Sequence, residues 1–183
     1  MAARNRATQA AELLLEKNPS KMGPPVNVRE LARSHAMIFR DNLPDDVSGL
    51  LIPPSPESSA RWMIVVNKRH SPERQRFTLA HELGHLLLHE YTKPHADGRN
   101  VVRYRNAVSA LGTDREEIEA NQFAAELLMP ASRLIPRLES IGLISWSDET
   151  VTPDISCVLT DLAYDFGVSQ QALLLRIGNL LQA

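Results

Sequence analysis

The stretch FTLAHELGHLLLHE, residues 77–90, places three histidines and a glutamate in a run of leucines. Immediately before it, Ser71, Pro72 and Glu73 provide a hydroxyl cap, a proline at the first helical position and an acid in the first turn. This pattern predicts one helix from Pro72 to about Glu90. Because the whole chain has only six histidines, their four-residue spacing here indicates a function.

His81 and His85 lie one helical turn apart and about 40° apart around the axis, so two imidazole nitrogens can converge on one ion. Glu82 lies about 100° away, too far round to be a third ligand but able to reach a water on that ion. In this His-Glu-x-x-His arrangement the histidines bind zinc and the glutamate is a general base. Gly84 removes a side chain beside the site, where a substrate backbone could approach.

The other histidines have weaker claims to be ligands. His89 lies about 6 Å further along the axis than His85, so one ion cannot easily bind all three. We interpret His89 as a packed or surface residue. His35, His70 and His95 are isolated in the sequence, and we interpret them as ordinary residues without a metal-binding role.

A catalytic zinc ion usually has three protein ligands and one open position, so a third ligand must come from elsewhere. The segment DREEIEANQFAAELLMP, residues 114–130, reads as a helix whose buried face consists of Ala120, Phe123, Ala124, Leu127 and Leu128. Glu117 falls inside this face, Glu116 falls at its edge, and Glu119 and Glu126 fall outside. A carboxylate aimed into an apolar face is costly unless a charge meets it. We therefore predict Glu117 as the third ligand and place the remaining acids on a solvated face.

Asn121 lies one turn beyond Glu117 on the same side of this helix. It could accept a hydrogen bond from the far nitrogen of a ligating histidine and so fix its tautomer. The alternative is an ordinary polar residue at the boundary of the face. The small residues Ala120, Ala124 and Ala125 would let this helix lie close to the histidine helix.

The remaining pattern alternates short apolar runs with helical segments, which indicates an α+β protein. We predict helices over residues 4–17, from Asn27 to about Ala36, from Thr113 or Asp114 to Pro130, over 132–141 and 153–165, and from Ser169, and strands at MIF (37–39), VSGLLI (47–52) and WMIVVN (62–67). Residues 101–112 are ambiguous and could be a short strand followed by a loop. We expect one domain over 1–183, with a core at 26–130 and a helical C-terminal part at 131–183.

Composition excludes several function classes. The net charge is −2 and no segment is strongly basic, which argues against nucleic acid or an anionic membrane as the main partner. A single cysteine, Cys157, cannot form an internal disulfide or a thiolate zinc site. No signal peptide or transmembrane run is predicted, so we expect a cytoplasmic protein.

Two blocks of the sequence resemble the ImmA/IrrE family of metallopeptidases: HELGHLLLH, and EIEANQFAAELLMP some thirty residues later. The family pattern has a glutamate followed by Ala-Asn, which maps onto Glu117, Ala120 and Asn121. The resemblance implies a small zincin-like α+β core, with a short antiparallel or mixed sheet of about three strands beside the two motif helices. It also implies cleavage of a helix-turn-helix repressor, which releases transcription.

The working hypothesis is a zinc endopeptidase in which His81, His85 and Glu117 hold the metal and Glu82 is the general base; Mn²⁺ or another divalent ion could replace zinc. A second donor to the oxyanion is usual, and its candidates, which the sequence does not rank, are Tyr91, His95, Arg103 and Tyr104. The strand WMIVVN could present an edge that pairs with an extended substrate, or it could be wholly internal.

Two other functions remain open on sequence. The segment DLAYDFGVSQQALLLRIGNLL, residues 161–181, resembles a helix-turn-helix, with Gly167 in the turn. Its second helix offers only Arg176 as a cation for phosphates, so direct DNA binding is disfavoured. The other function is a zinc-containing regulatory protein that binds a repressor or DNA without proteolysis.

Overall fold

The structure, a computed structural model, describes residues 5–23, 25–55, 61–98, 107–143 and 155–182. All of the described strands and three α-helices lie before residue 99, and the described elements from Ala107 onward are helices. The elements are α1 (Arg6–Glu16), α2 (Val28–Arg33), β1 (Ala36–Asp41), β2 (Val47–Ile52), β3 (Trp62–Asn67), α3 (Pro72–Leu88), β4 (His95–Gly98), α4 (Ala107–Leu128), α5 (Ala131–Ser140), α6 (Ile155–Phe166) and α7 (Gln170–Leu181). The predicted α+β class is confirmed, with four strands in this part of the chain where about three were expected.

The four strands form one mixed sheet in the order β1-β3-β2-β4. Strand β3 runs parallel to β1 and antiparallel to β2, and β4 is antiparallel to β2. The WMIVVN strand is therefore internal, and the suggestion that it offers an edge to a substrate was wrong. Its residues Ile64 and Val66 are buried, which explains the near-continuous apolar run in its sequence.

Strand β4 was not predicted, because its sequence HADG lacks the β-branched and aromatic residues that favour strands. It forms by pairing with β2, with His95 opposite Leu51 and Ala96 opposite Leu50. This pairing depends on a partner strand more than forty residues away, and the strand propensity of a local segment does not reveal such a partner. Within the described part of the chain, β4 and β1 are the edges of the sheet.

Helices α3 and α4 lie directly against each other, and their contact contains no room at Gly84. A Cβ atom there would lie 3.0 Å from Cδ1 of Phe123 and 3.3 Å from the backbone of Ala120. Gly84 thus allows close helix packing, and the expectation that a substrate backbone approaches it was wrong. The predicted face of α4 is confirmed, since all five of its members are fully buried: Ala120, Phe123, Ala124, Leu127 and Leu128.

Capping residues define the start of α3 as predicted, with the Ser71 side chain accepting a hydrogen bond from the Arg74 N–H. Helix α4 departs from the prediction, because it begins at Ala107 and contains both suggested caps, Thr113 and Asp114. The expected loop over residues 107–112 is therefore helical. A good cap contributes only about 1 kcal/mol, which continuation of a long helix can outweigh.

The C-terminal helices pack back onto the motif helices. Arg176 of α7 forms an ion pair with Glu126 of α4, and both side chains are nearly buried. Glu126 also accepts a hydrogen bond from the Ala131 N–H, so its assignment to a solvated face was wrong. Rotation around an isolated helix could not foresee that α7 covers this position. None of the described helices combines the length and the apolar content that a bilayer span requires.

Candidate metal centre

Three side chains from two helices meet in one buried cluster, which we call the donor cluster: His81, His85 and Glu117. Nε2 of His81 lies 3.3 Å from Oε2 of Glu117, and Nε2 of His85 lies 3.4 Å from Oε1. One donor atom from each residue lies within 4.8 Å of the other two. The histidines are almost inaccessible, whereas the Glu117 side chain is 30% exposed. The cluster is therefore closed to solvent on the side of the two histidines and accessible on the side of Glu117.

Each histidine ring is oriented through its other nitrogen. Nδ1 of His81 lies 3.1 Å from Oδ1 of Asn121, which can only accept, so this nitrogen carries the proton. Nδ1 of His85 lies 2.9 Å from the hydroxyl of Tyr91, which donates its own proton to Glu116 at 3.0 Å. The Tyr91 oxygen therefore accepts from His85. These bonds fix both neutral rings in the tautomer whose Nε2 lone pair faces the donor cluster.

The two facing nitrogens show why the cluster suits a cation. Nε2 of His81 and Nε2 of His85 lie 2.9 Å apart, and with both Nδ1 atoms protonated their lone pairs repel each other. Either a proton or a metal ion between them removes the repulsion. Burial lowers the pKa of His85 to about 4, which disfavours the protonated ring at neutral pH. A metal ion is the better partner, and the two-histidine, one-carboxylate set suits zinc.

The carboxylate of Glu117 is held in its charged form. Burial alone would raise the pKa of this carboxyl, but the three imidazoles that face it, those of His81, His85 and His95, outweigh burial and hold the pKa below its ordinary value. A metal ligand must be deprotonated to bind. Glu117 therefore presents a carboxylate at neutral pH. A carboxylate in the apolar face of α4 is tolerable only when a positive charge or hydrogen-bond donors meet it, and a bound metal ion would be such a partner.

Glu82 lies beside the donor cluster, not within it. Its side chain is fully buried and lies against β2, where a Cβ on Gly49 would be only 2.5 Å from Oε1 of Glu82. Gly49 therefore makes room for this carboxylate, together with Thr78, which lies on the same face of α3 one turn earlier. The sequence did hold a signal for Gly49, because a glycine inside a strand often marks a close approach of another group.

The structure brings His81, His85, Glu117 and Asn121 together as predicted, with Glu82 adjacent. His89 is separate from them; its side chain is 6% exposed and its Nε2 lies 3.3 Å from the backbone oxygen of Glu116, which agrees with the first of the two roles, packed or surface, expected for it. His95 is a correction, since it is not an ordinary isolated residue.

Nε2 of His95 lies 3.3 Å from Oε1 of Glu117. Sequence reasoning missed this contact because it depends on the unpredicted strand β4. Of the four oxyanion candidates, Tyr91 and His95 lie at the site, whereas Arg103 and Tyr104 lie outside the described residues.

Comparison with known proteins identifies the family. The model of the IrrE N-terminal-like domain, peptidase M78, matches residues 36–178. Among solved structures, the chain resembles a Mycobacterium tuberculosis transcriptional regulator with a TM-score of 0.55 and 19% identity, covering 92% of this chain and 45% of that one. At this identity the likeness shows the fold alone, and the chain spans less than half of that regulator's length. The comparison with curated proteins gave no significant match. Since the family model spans most of the chain and its two motif helices, the protein belongs to the IrrE N-terminal-like family of peptidases.

Proposed function

We propose that the protein is a zinc-dependent endopeptidase that hydrolyses a peptide bond in a protein substrate. The observation that carries the proposal is the donor cluster of His81, His85 and Glu117, with the buried carboxylate of Glu82 beside it. Membership of a peptidase family supports the same reaction. The three donors leave one side of the cluster open, as a catalytic site requires and a structural zinc site does not.

The chain's own residues divide the chemistry between them. His81, His85 and Glu117 would hold the zinc ion, which when bound supplies Lewis acidity toward a carbonyl and lowers the pKa of a water molecule. Glu82 accepts the proton of the attacking water and delivers it to the leaving amine nitrogen. Its burial against Gly49 holds the carboxylate away from bulk solvent. Mn²⁺ is an alternative occupant that the same donors accept.

For the substrate we propose a helix-turn-helix transcriptional repressor, whose cleavage releases transcription. This part rests on the resemblance of the two motif blocks to the ImmA/IrrE family. The occurrence of the same fold in a protein called a transcriptional regulator agrees with it. A folded repressor must present an extended segment to a site of this kind, so we expect cleavage within a loop or a linker.

The alternative, a protein that binds DNA or a repressor without cutting it, has less support. Arg176, the one cation on α7, is engaged with Glu126 and is nearly buried. Arg137 of α5 is paired with Asp165 of α6. The helix pair α6–α7 therefore offers little positive charge to phosphates. Its turn at Gly167, with φ of 63°, is instead held to α3 by a hydrogen bond from Arg76.

The test is to incubate the zinc-loaded protein with a helix-turn-helix repressor and to identify fragments by mass spectrometry. We expect wild type to cut the repressor at a defined bond. Glu82→Gln should retain one zinc ion per chain and lose about 10²–10⁴-fold in cleavage rate, because proton transfer is removed while the donors remain. Glu119→Gln is the matched control, since its side chain faces His89 and Arg115 outside the donor cluster.

An intact repressor that nonetheless binds the zinc-loaded wild type would favour the non-proteolytic alternative. Unchanged cleavage by Glu82→Gln would refute the role given to that carboxylate. Parallel reactions with Mn²⁺ in place of Zn²⁺ identify the ion that supports turnover.

A further inference from the structure

The imidazole of His95 is held in a defined position beside the donor cluster. It is the first residue of β4, and its pairing with Leu51 of β2 fixes the backbone from which its ring projects. The ring packs against His85, with ring centroids 4.5 Å apart, and against Tyr91, with centroids 4.9 Å apart. The side chain is 4% exposed. Contacts on two sides leave the ring little freedom to turn away.

The Nε2 atom of His95 has no ordinary role in the fold. It is buried and makes no hydrogen bond with the described residues. Oε1 of Glu117 lies 3.3 Å from it. A buried imidazole nitrogen without a hydrogen bond costs free energy, so its persistence indicates a partner that arrives with a ligand.

The position of His95 separates two possible partners, the metal ion and the substrate. Among the described residues, the set of mutually close donors is His81, His85 and Glu117, and His95 is not a member of it. Its Nε2 approaches the same carboxylate oxygen of Glu117, Oε1, that faces His85. This is a second layer around the centre, from which an N–H group can reach a ligand oxygen held there.

We propose that the Nε2–H of His95 donates a hydrogen bond to the oxygen of the scissile carbonyl and to the oxyanion that develops from it. The proposal rests on the proposed function, because it assigns to the same site a second group, beside the metal ion, that stabilises the oxyanion. A pre-positioned donor in a buried site costs no reorganisation during reaction, which is the property that makes such groups effective. His95 is thereby a catalytic residue that touches substrate, distinct from Tyr91, which acts through His85.

The experiment compares wild type, His95→Ala, His95→Gln and the control His35→Gln. His35 is a half-buried histidine just before β1, at the opposite edge of the sheet from β4. Zinc content, the melting temperature of the zinc-loaded protein and the affinity for acetohydroxamate are measured for each. Acetohydroxamate is a small chelating anion whose oxygens mimic the carbonyl oxygen, so its binding requires no knowledge of the protein substrate.

His95→Ala should keep one zinc ion per chain and bind acetohydroxamate about tenfold more weakly, as expected for the loss of one hydrogen bond to a charged group. With a cleavable substrate, kcat should fall about 10²–10³-fold while KM changes little. His95→Gln, which keeps an N–H donor, should recover part of both losses. His35→Gln should match wild type in every measurement.

Three results would overturn the assignment. Loss of zinc from His95→Ala would make His95 a ligand. Unchanged acetohydroxamate affinity would remove the donor role. A fall in melting temperature that accounts for the loss of binding, without recovery in His95→Gln, would make the residue structural. If no variant, wild type included, cuts a repressor but the acetohydroxamate difference holds, the result supports His95 as a donor and counts against the proposed function alone.

Discussion

At the scale of single residues, the site depends on which nitrogen of each histidine carries the proton. Asn121 and Tyr91 each hold an Nδ1–H, so both Nε2 lone pairs face one point. The spacing of His81 and His85 is readable from sequence because it is local to one helix. Asn121 could also be predicted, because it lies one turn from Glu117 on the same helix.

Tyr91 and His95 could be named on sequence only as unranked candidates, since their positions depend on the chain after α3. Gly49 was missed for a similar reason, because the carboxylate that needs its space comes from another element. When the side chains of a site come from several elements, their positions depend on tertiary contacts. The angular positions of residues around one helix give no information on those contacts.

The orienting bonds should be measurable as metal affinity. We expect Tyr91→Phe and Asn121→Ala each to weaken zinc binding about 10–100-fold, because a ring that can rotate loses its preferred tautomer and basicity. Competition with a chromophoric zinc chelator provides the dissociation constants. Tyr164→Phe is the control, since Tyr164 lies on α6 and is 84% exposed. Equal affinities in all four proteins would mean that the second nitrogens do not orient the ligands.

At the scale of elements, the centre exists because α3 and α4 approach closely. The face of α4 was predictable, since its small and apolar residues recur at helical spacing and all prove buried. The identity of the partner at Gly84 was not predictable, because a glycine beside a metal motif is equally compatible with substrate access. The start of α4 and the whole of β4 were missed, because their sequences carry the polar and glycine residues typical of turns and loops although they form a helix and a strand.

Gly84→Val should separate the two helices. Its Cβ would meet Phe123 and the Ala120 backbone at 3.0–3.3 Å, and the added methyl groups have no space. We expect a loss of about 1–3 kcal/mol in the free energy of unfolding, measured by urea titration, and a matching fall in zinc affinity. Gly178→Ala is the control, because nothing lies within 4 Å of its added Cβ and alanine favours the helix α7. A Gly84→Val protein as stable as wild type would contradict the close packing.

At the scale of the whole molecule, the C-terminal helices are tied to the motif helices by two arginines. Arg176 reaches Glu126 on α4, and Arg76 on α3 donates to the backbone oxygens of Gly167 and Val26. These contacts join residues that are 50 or more positions apart in the sequence, so no local sequence pattern predicts them. The division into a core at 26–130 and a helical part at 131–183 stays a prediction, and the Glu126 pair shows how closely the two are joined.

Glu126→Ala should destabilise the protein by about 3–5 kcal/mol, because it leaves the guanidinium of Arg176 buried without its counter-charge. Arg137→Ala removes an exposed pair with Asp165 and should cost at most about 1 kcal/mol. Urea denaturation of both variants tests the contrast. Replacing Glu126 and Arg176 together by leucine should restore most of the loss, whereas an additive loss in the double variant would argue against the pair.

We propose that a carboxylate from α4 completes a metal site begun by two histidines of α3. Calorimetric titration of zinc into metal-free wild type, Glu117→Ala and Glu119→Ala tests it most directly. We expect one tight site in wild type and in Glu119→Ala, and loss of that site in Glu117→Ala. Zinc bound tightly by Glu117→Ala, or lost on changing Glu119 instead, would contradict it.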